Sequence, residues 1–231
     1  MDSGRSGVDA PHYPKVVLVT GACRFLGGYL TARLAQNPLI NKVIAVDAIA
    51  PSKDLQRRMG RAEFVRADIR NPFIAKVIRN SDVDTVVHAA AASYAPRSGG
   101  GATLKELNVM GAMQVIPQIV PMVHETKGVI ACISSIMGSM QETTSGNAAL
   151  YRVSKAALNM VVRCTQADQP GITVLAIHPG WVQTDMGGSA APLTPEQSAS
   201  SLRQTLNTVL EQRDPKHRGA FLNHDGSPLP W

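Results

Sequence analysis

Tyr151 and Lys155 stand four residues apart in Tyr151-Arg-Val-Ser-Lys155, and on a helix that spacing puts a phenol and an ammonium on one face. A phenol that ionises near pH 10 is a poor proton carrier at neutral pH unless a cation favours its anion. Lys155 is spaced to be that cation. The pattern is short, and a chain with four tyrosines can carry it by chance, so its setting decides. Sixteen residues upstream, the apolar run Val129–Ile133 ends in Ser134-Ser135. A hydroxyl there falls at the end of a strand, where Ser135 can hold the oxygen that a phenol protonates.

A second constellation lies near the start. Lys15-Val-Val-Leu-Val-Thr-Gly-Ala-Cys-Arg-Phe-Leu-Gly-Gly28 reads as a buried strand, a glycine-bearing turn and a helix. Such a turn lets the backbone approach a pyrophosphate, which the unpaired amides at the helix start attract. Twenty residues beyond Gly27, Asp47 ends a second apolar run, where a carboxylate can accept from ribose hydroxyls.

These residues need a scaffold, and the hydropathy pattern supplies one. Short β-rich runs at Val16–Thr20, Val43–Val46, Glu63–Arg66, Thr85–His88, Val129–Ile133, Thr173–His178 and Ala220–Leu222 alternate with helical stretches. The helices are expected at Leu26–Gln36, Phe73–Arg79, Thr103–His124, Ala149–Gln166 and Pro195–Gln212. The pattern predicts a doubly wound, Rossmann-type α/β fold with a seven-stranded parallel sheet. Pro117 and Pro121 predict a kink in the Thr103–His124 helix, and Ser98–Gly101 a loop before it.

Composition narrows the class. With 231 residues, 44% hydrophobic and 17% charged, the chain has the balance of a folded domain without staples. No apolar run is long enough to span a membrane. The three cysteines form no ligand or disulfide pattern, so no metal site is expected and a reducing cytoplasm is the default. The net charge of +6 lies entirely in the first half, which suits a phosphate-bearing ligand. The basic stretch Lys53 to Arg70 is interleaved with acids and reads as a solvated face rather than a nucleic-acid patch. Residues 1–14 are expected to be a flexible leader and 15–231 one domain.

From Lys15 to Trp231 the sequence resembles the short-chain dehydrogenase/reductase superfamily. The resemblance implies a nicotinamide cofactor held by Gly21, Arg24, Phe25, Leu26 and Gly27 in the first turn. Asp47 would meet the adenosine ribose. Asp68 and Ile69 would hold the adenine, and Ala89, Ala90 and Ala91 would let the chain pass the cofactor. Arg24 matches a basic residue that NADP-using members place on the 2′-phosphate, whereas Asp47 repels that phosphate; NAD is expected, with NADP the alternative. The turn lacks the middle glycine of either family pattern. In the segment His178-Pro-Gly-Trp-Val-Gln-Thr, which resembles a family motif, Pro179, Gly180, Val182 and Thr184 would contact the nicotinamide end.

The resemblance also implies a catalytic tetrad. Tyr151 is the acid/base, Ser135 positions the substrate oxygen, Lys155 lowers the phenol pKa and binds ribose, and Asn108 holds a water behind the lysine. The expected activity interconverts a small-molecule carbonyl and its alcohol. The alternatives are sugar-nucleotide epimerase or dehydratase chemistry, or a dinucleotide-binding scaffold of little activity. The first half resembles the extended branch, and residues 128–231 resemble sniffer-like carbonyl reductases. The chain thus looks chimeric, with a join near 112–121. Family members form homodimers or homotetramers through the fourth and fifth helices. Trp231 is expected near the substrate cleft.

Overall fold

The computed structural model describes residues 15–69, 71, 74, 76–77, 80–89 and 105–231. Ala90, Ala91, the leader, the Ser98–Gly101 loop and most of the Phe73–Arg79 helix lie outside them.

Apolar β-branched runs form the buried strands β1 (Val16–Thr20), β2 (Lys42–Asp47), β4 (Thr85–His88), β5 (Val129–Ile133) and β6 (Thr173–His178). The more exposed β3 (Glu63–Arg66) and the short β7 (Phe221–Asn223) close the two edges. All pairings are parallel, in the order β3-β2-β1-β4-β5-β6-β7. The chain order reverses between β1 and β4, and the crevice beyond the carboxyl ends at such a switch is where open α/β sheets bind ligands. Thr20 and His88 are the register partners at that edge.

The helices are α1 (Phe25–Ala35), α2 (Lys53–Met59), α3 (Gly111–Thr126), α4 (Ala149–Asp168) and α5 (Pro195–Gln212). On one face of the sheet, Ala112, Val115, Ile119, Leu158 and Val162 pack with Leu18, Val86, Ile130 and Phe221. On the other, Leu30, Leu34, Leu202, Leu206 and Val209 pack on Val17, Val19, Val87 and Leu175. Alternate strand residues thus feed two separate cores.

Two elements differ from the expectation. The basic stretch holds a helix, α2, capped by the Ser52 hydroxyl, which accepts from Leu55 N at 3.2 Å. Beyond it, Arg61 turns onto α1 and donates to the carbonyls of Ala35, Asn37, Ile40 and Asn41, so it is not merely a solvated charge. The helix expected over Thr103–His124 is a π segment, Lys105–Met110, followed by α3, which continues through Pro117 and Pro121. Both prolines face solvent four residues apart, so the carbonyls they leave without a partner can turn to water.

Candidate active site

Strand β1 delivers the chain into a tight turn. Gly21 has φ +74°, and a Cβ on Gly27 would come within 2.1 Å of the Gly21 carbonyl oxygen. Only glycine fits either position without rearrangement. Arg24, exposed, is the N-cap residue of α1; no side chain caps the helix and no acid lies in its first turn. Uncapped amides and the positive end of the helix dipole make a site for a phosphate group. The buried Asp47 carboxylate reaches the same turn, accepting from Cys23 N at 2.9 Å and from Ile49 N at 3.2 Å. The thiol of Cys23, raised to about 11 by burial and then by Asp47, donates to the Ile49 carbonyl. These residues fit the diphosphate and ribose of a dinucleotide despite the missing middle glycine.

The other expected cofactor contacts divide. Leu26 packs partly into the core beneath the turn, and nothing is described of the Phe25 side chain, whose backbone opens α1. Asp68 is half-buried after β3, whereas the Ile69 side chain is core. Ala89 is buried and donates its N–H to the Thr20 carbonyl at the switch point. Pro179 gives its carbonyl to the Ser198 hydroxyl at 2.6 Å, and Gly180, at φ +84°, lies against Leu193 and His224. Val182 is buried and bridges to Leu193, while Thr184 Oγ1 accepts from Gly187 N at 3.1 Å. The segment therefore folds as a braced turn at the end of β6.

Three of the four expected catalytic side chains converge at the ends of β5 and α4. The Ser135 hydroxyl lies close enough to the Tyr151 phenol to favour its anion. Ser135 Oγ also accepts from Met137 N at 3.2 Å, which fixes its rotamer. Lys155 is fully buried; its Nζ donates to the Ile133 carbonyl at 2.9 Å and lies 5.8 Å from the Tyr151 ring centroid. A Cβ on Gly138 would collide with the Lys155 backbone at 2.8 Å, so this glycine lets the serine loop close on α4. The fourth, Asn108, sits in the π segment and donates from Nδ2 to Ser154 Oγ at 3.1 Å, and Ser154 Oγ donates to the Tyr151 carbonyl at 2.8 Å. A π turn offsets the backbone register, which is a recurrent device at functional sites.

The electrostatics correct one expectation. Burial pushes the Tyr151 phenol above its ordinary value, and the Ser135 hydroxyl draws it partly back; the expected lowering by Lys155 is not among the causes. Burial instead lowers Lys155 to about 8. The phenol is thus held protonated at neutral pH, the state a proton donor needs.

Two further histidines, the last residues of β4 and β6, lie at this edge. His88 and His178 are both lowered to about 4, chiefly by burial. Each ends an otherwise largely apolar strand, and a polar residue in that position was the available signal. Trp231 stacks on Phe221 at 5.4 Å, lies under the Arg163 guanidinium, and accepts from Gln141 N, in the loop before Tyr151, through its main-chain oxygen.

Among known proteins, an uncharacterized protein of Mycobacterium tuberculosis is 78% identical over 129 residues, 56% of this chain and 34% of that protein. The chain thus spans about a third of that relative's length. C-signal of Myxococcus xanthus is 38% identical over 128 residues, 54% of this chain and 75% of that protein. Carbonyl reductase Sniffer of D. melanogaster superposes with a TM-score of 0.81 at 26% identity, covering 95% of this chain and 100% of that one. A carbonyl reductase from Pseudomonas aeruginosa PAO1 in complex with NADP gives 0.78 at 29% identity, over 95% and 100%. A family model described as short chain dehydrogenase matches residues 15–193, and with the parallel sheet and glycine turn already in place, the chain belongs to the short-chain dehydrogenase family.

Proposed function

We propose that the protein is an NAD(P)-dependent oxidoreductase that interconverts a carbonyl and an alcohol. The observation that carries this is the buried Tyr151 phenol beside the Ser135 hydroxyl and the fully buried Lys155, on the sheet edge that also holds the glycine turn. The nicotinamide would supply or accept the hydride. Gly21, Gly27 and the α1 amides hold the diphosphate, Asp47 the adenosine ribose, and the 179–184 turn the nicotinamide end. Ser135 orients the substrate oxygen, and Tyr151 gives it a proton as the carbonyl is reduced. Lys155 stays largely protonated below its lowered pKa and binds the nicotinamide ribose; Asn108 fixes the backbone at the start of α4 through Ser154.

NAD is the preferred cofactor in this reading. A second dianion beside the buried Asp47 carboxylate is repelled, and Arg24 in the turn can serve either nucleotide. The loops flanking Tyr151, residues 136–150 and 179–194, carry Glu142 and Asp185 but no lysine or arginine. They expose Met140, Leu150, Trp181 and Met186. Such a rim suits an uncharged apolar aldehyde or ketone and gives a nucleotide sugar's diphosphate no cation to pair with. A chimeric origin is a further part of the proposal. Its motivation is the change of motif type between the two halves of the sequence, the first resembling the extended branch and the second the sniffer-like reductases.

A carbonyl panel tests the reading. NADH oxidation is expected with apolar aldehydes or ketones and not with nucleotide sugars, with NADH binding tighter than NADPH. Binding of NADH without turnover across the panel would leave a scaffold role instead.

A further inference from the structure

The His88 imidazole is 2% exposed, and the mechanism above gives it no task. Its Nδ1 is 2.8 Å from Thr20 Oγ1, while its Nε2 is buried with no hydrogen-bond partner among the described residues. An orphaned buried nitrogen costs roughly 1–3 kcal/mol, so its retention calls for a reason. On the neighbouring strand His88 is in register with Cys132, one residue before Ile133, whose carbonyl holds Lys155 Nζ at 2.9 Å. The imidazole and the ammonium therefore lie on adjacent strand ends on the α3/α4 face of the sheet. The bond to the Ile133 carbonyl uses one of the three ammonium hydrogens.

The groups on the elements near His88 agree on its protonation. Lys155 from α4 disfavours charge on it, and burial does so more. Cys132 on β5 is neutral, raised to about 12, and His178 on β6 is neutral at physiological pH. Thr20 on β1 and Asn108 in the π segment carry no charge. A neutral imidazole in the field of a cation turns its lone pair toward that cation. Nδ1–H then donates to Thr20, and Nε2 is the acceptor.

We propose that His88 is a positioning residue for Lys155: its Nε2 accepts a hydrogen bond from a water that Lys155 Nζ also holds, fixing the ammonium toward Tyr151. One water between two under-satisfied buried groups satisfies both at little entropic cost. The consequence for turnover rests on the oxidoreductase reading above; the consequence for Lys155 does not.

The test uses His88→Asn, whose amide can keep the Thr20 bond where Nδ1 was while removing Nε2, and His88→Gln, which returns a polar group to the Nε2 position. The titration midpoint of Lys155 is followed by NMR of side-chain-labelled lysine without cofactor, and the alkaline limb of carbonyl reduction is followed by kinetics. Losing the acceptor destabilises the ammonium, so His88→Asn should lower the Lys155 midpoint by about one pH unit. The alkaline limb of kcat should move with it while the carbonyl KM stays unchanged. His88→Gln should restore at least half of both shifts. An unmoved Lys155 midpoint in folded His88→Asn overturns the proposal. Should that variant not fold, Thr20→Val, which frees the ring, must move the midpoint the same way, and no movement again overturns it. A wild-type enzyme without turnover would count against the functional reading alone, because the NMR titration still decides the role of His88.

Discussion

Gly27 marks where side-chain size and ligand binding meet. Adding one methyl group there drives a carbon into the Gly21 carbonyl oxygen, so the turn must open and its amides lose their common aim. Gly27→Ala should weaken NADH binding at least ~tenfold, 1.4 kcal/mol, in a fluorescence titration of protein whose circular dichroism is unchanged. The buried histidines carry a second prediction. His88 and His178 sit near 4 in the folded state against 6.5 as the ordinary value. Between those limits the unfolded chain binds the additional protons, so stability is full above pH 6.5 and declines as pH falls toward 4. Urea midpoints should be flat near pH 7 and lose on the order of a few kcal/mol by pH 4; a flat profile would contradict the neutral, buried assignment. At this scale the sequence pointed to Ser135, Tyr151 and Lys155 through their types, spacing and position after a strand, and the fold brings the three together. The direction of the Tyr151 shift was not legible, since it depends on how much of the phenol is buried.

At the scale of elements, strands were easier to read than helices. Runs such as Val16–Thr20 and Thr173–His178 are apolar on both faces and bounded by turn residues, and they fold as read. Helix α2 escaped because only Met59 of its residues is buried, leaving almost no apolar stripe to detect; the Ser52 cap was its one signal. Arg61 beyond it could not be read either, since its four carbonyl partners come from the end of α1 and the chain that follows. Arg61→Ala should lower stability by about 1–2 kcal/mol and Tm by roughly 3–6 °C in calorimetry. Arg61→Lys should recover only part of this, because a point charge cannot replace the planar fork. No helix among the described residues is long and apolar enough to cross a membrane.

Over the whole molecule, parallel pairing follows from the alternation of strands and helices, and the switch point between β1 and β4 brings the glycine turn and the tyrosine helix to one edge. The region where the sequence halves would meet is well packed. Ala112, Val115, Ile116 and Ile119 contact one core that includes Leu18 and Val46 from the first half and Leu158, Val162 and Phe221 from the second. The Trp231 contact with Gln141 ties the last strand to the loop between Ser135 and Tyr151, a long-range relation that no local pattern encodes. The central claim is that Tyr151 donates the proton that accompanies hydride transfer. Its most direct measurement is carbonyl-dependent NADH oxidation by Tyr151→Phe beside NADH titration of the same protein. The account predicts kcat down by roughly 10²–10⁴ with the NADH Kd within about twofold of the wild type; undiminished turnover in folded Tyr151→Phe would contradict it.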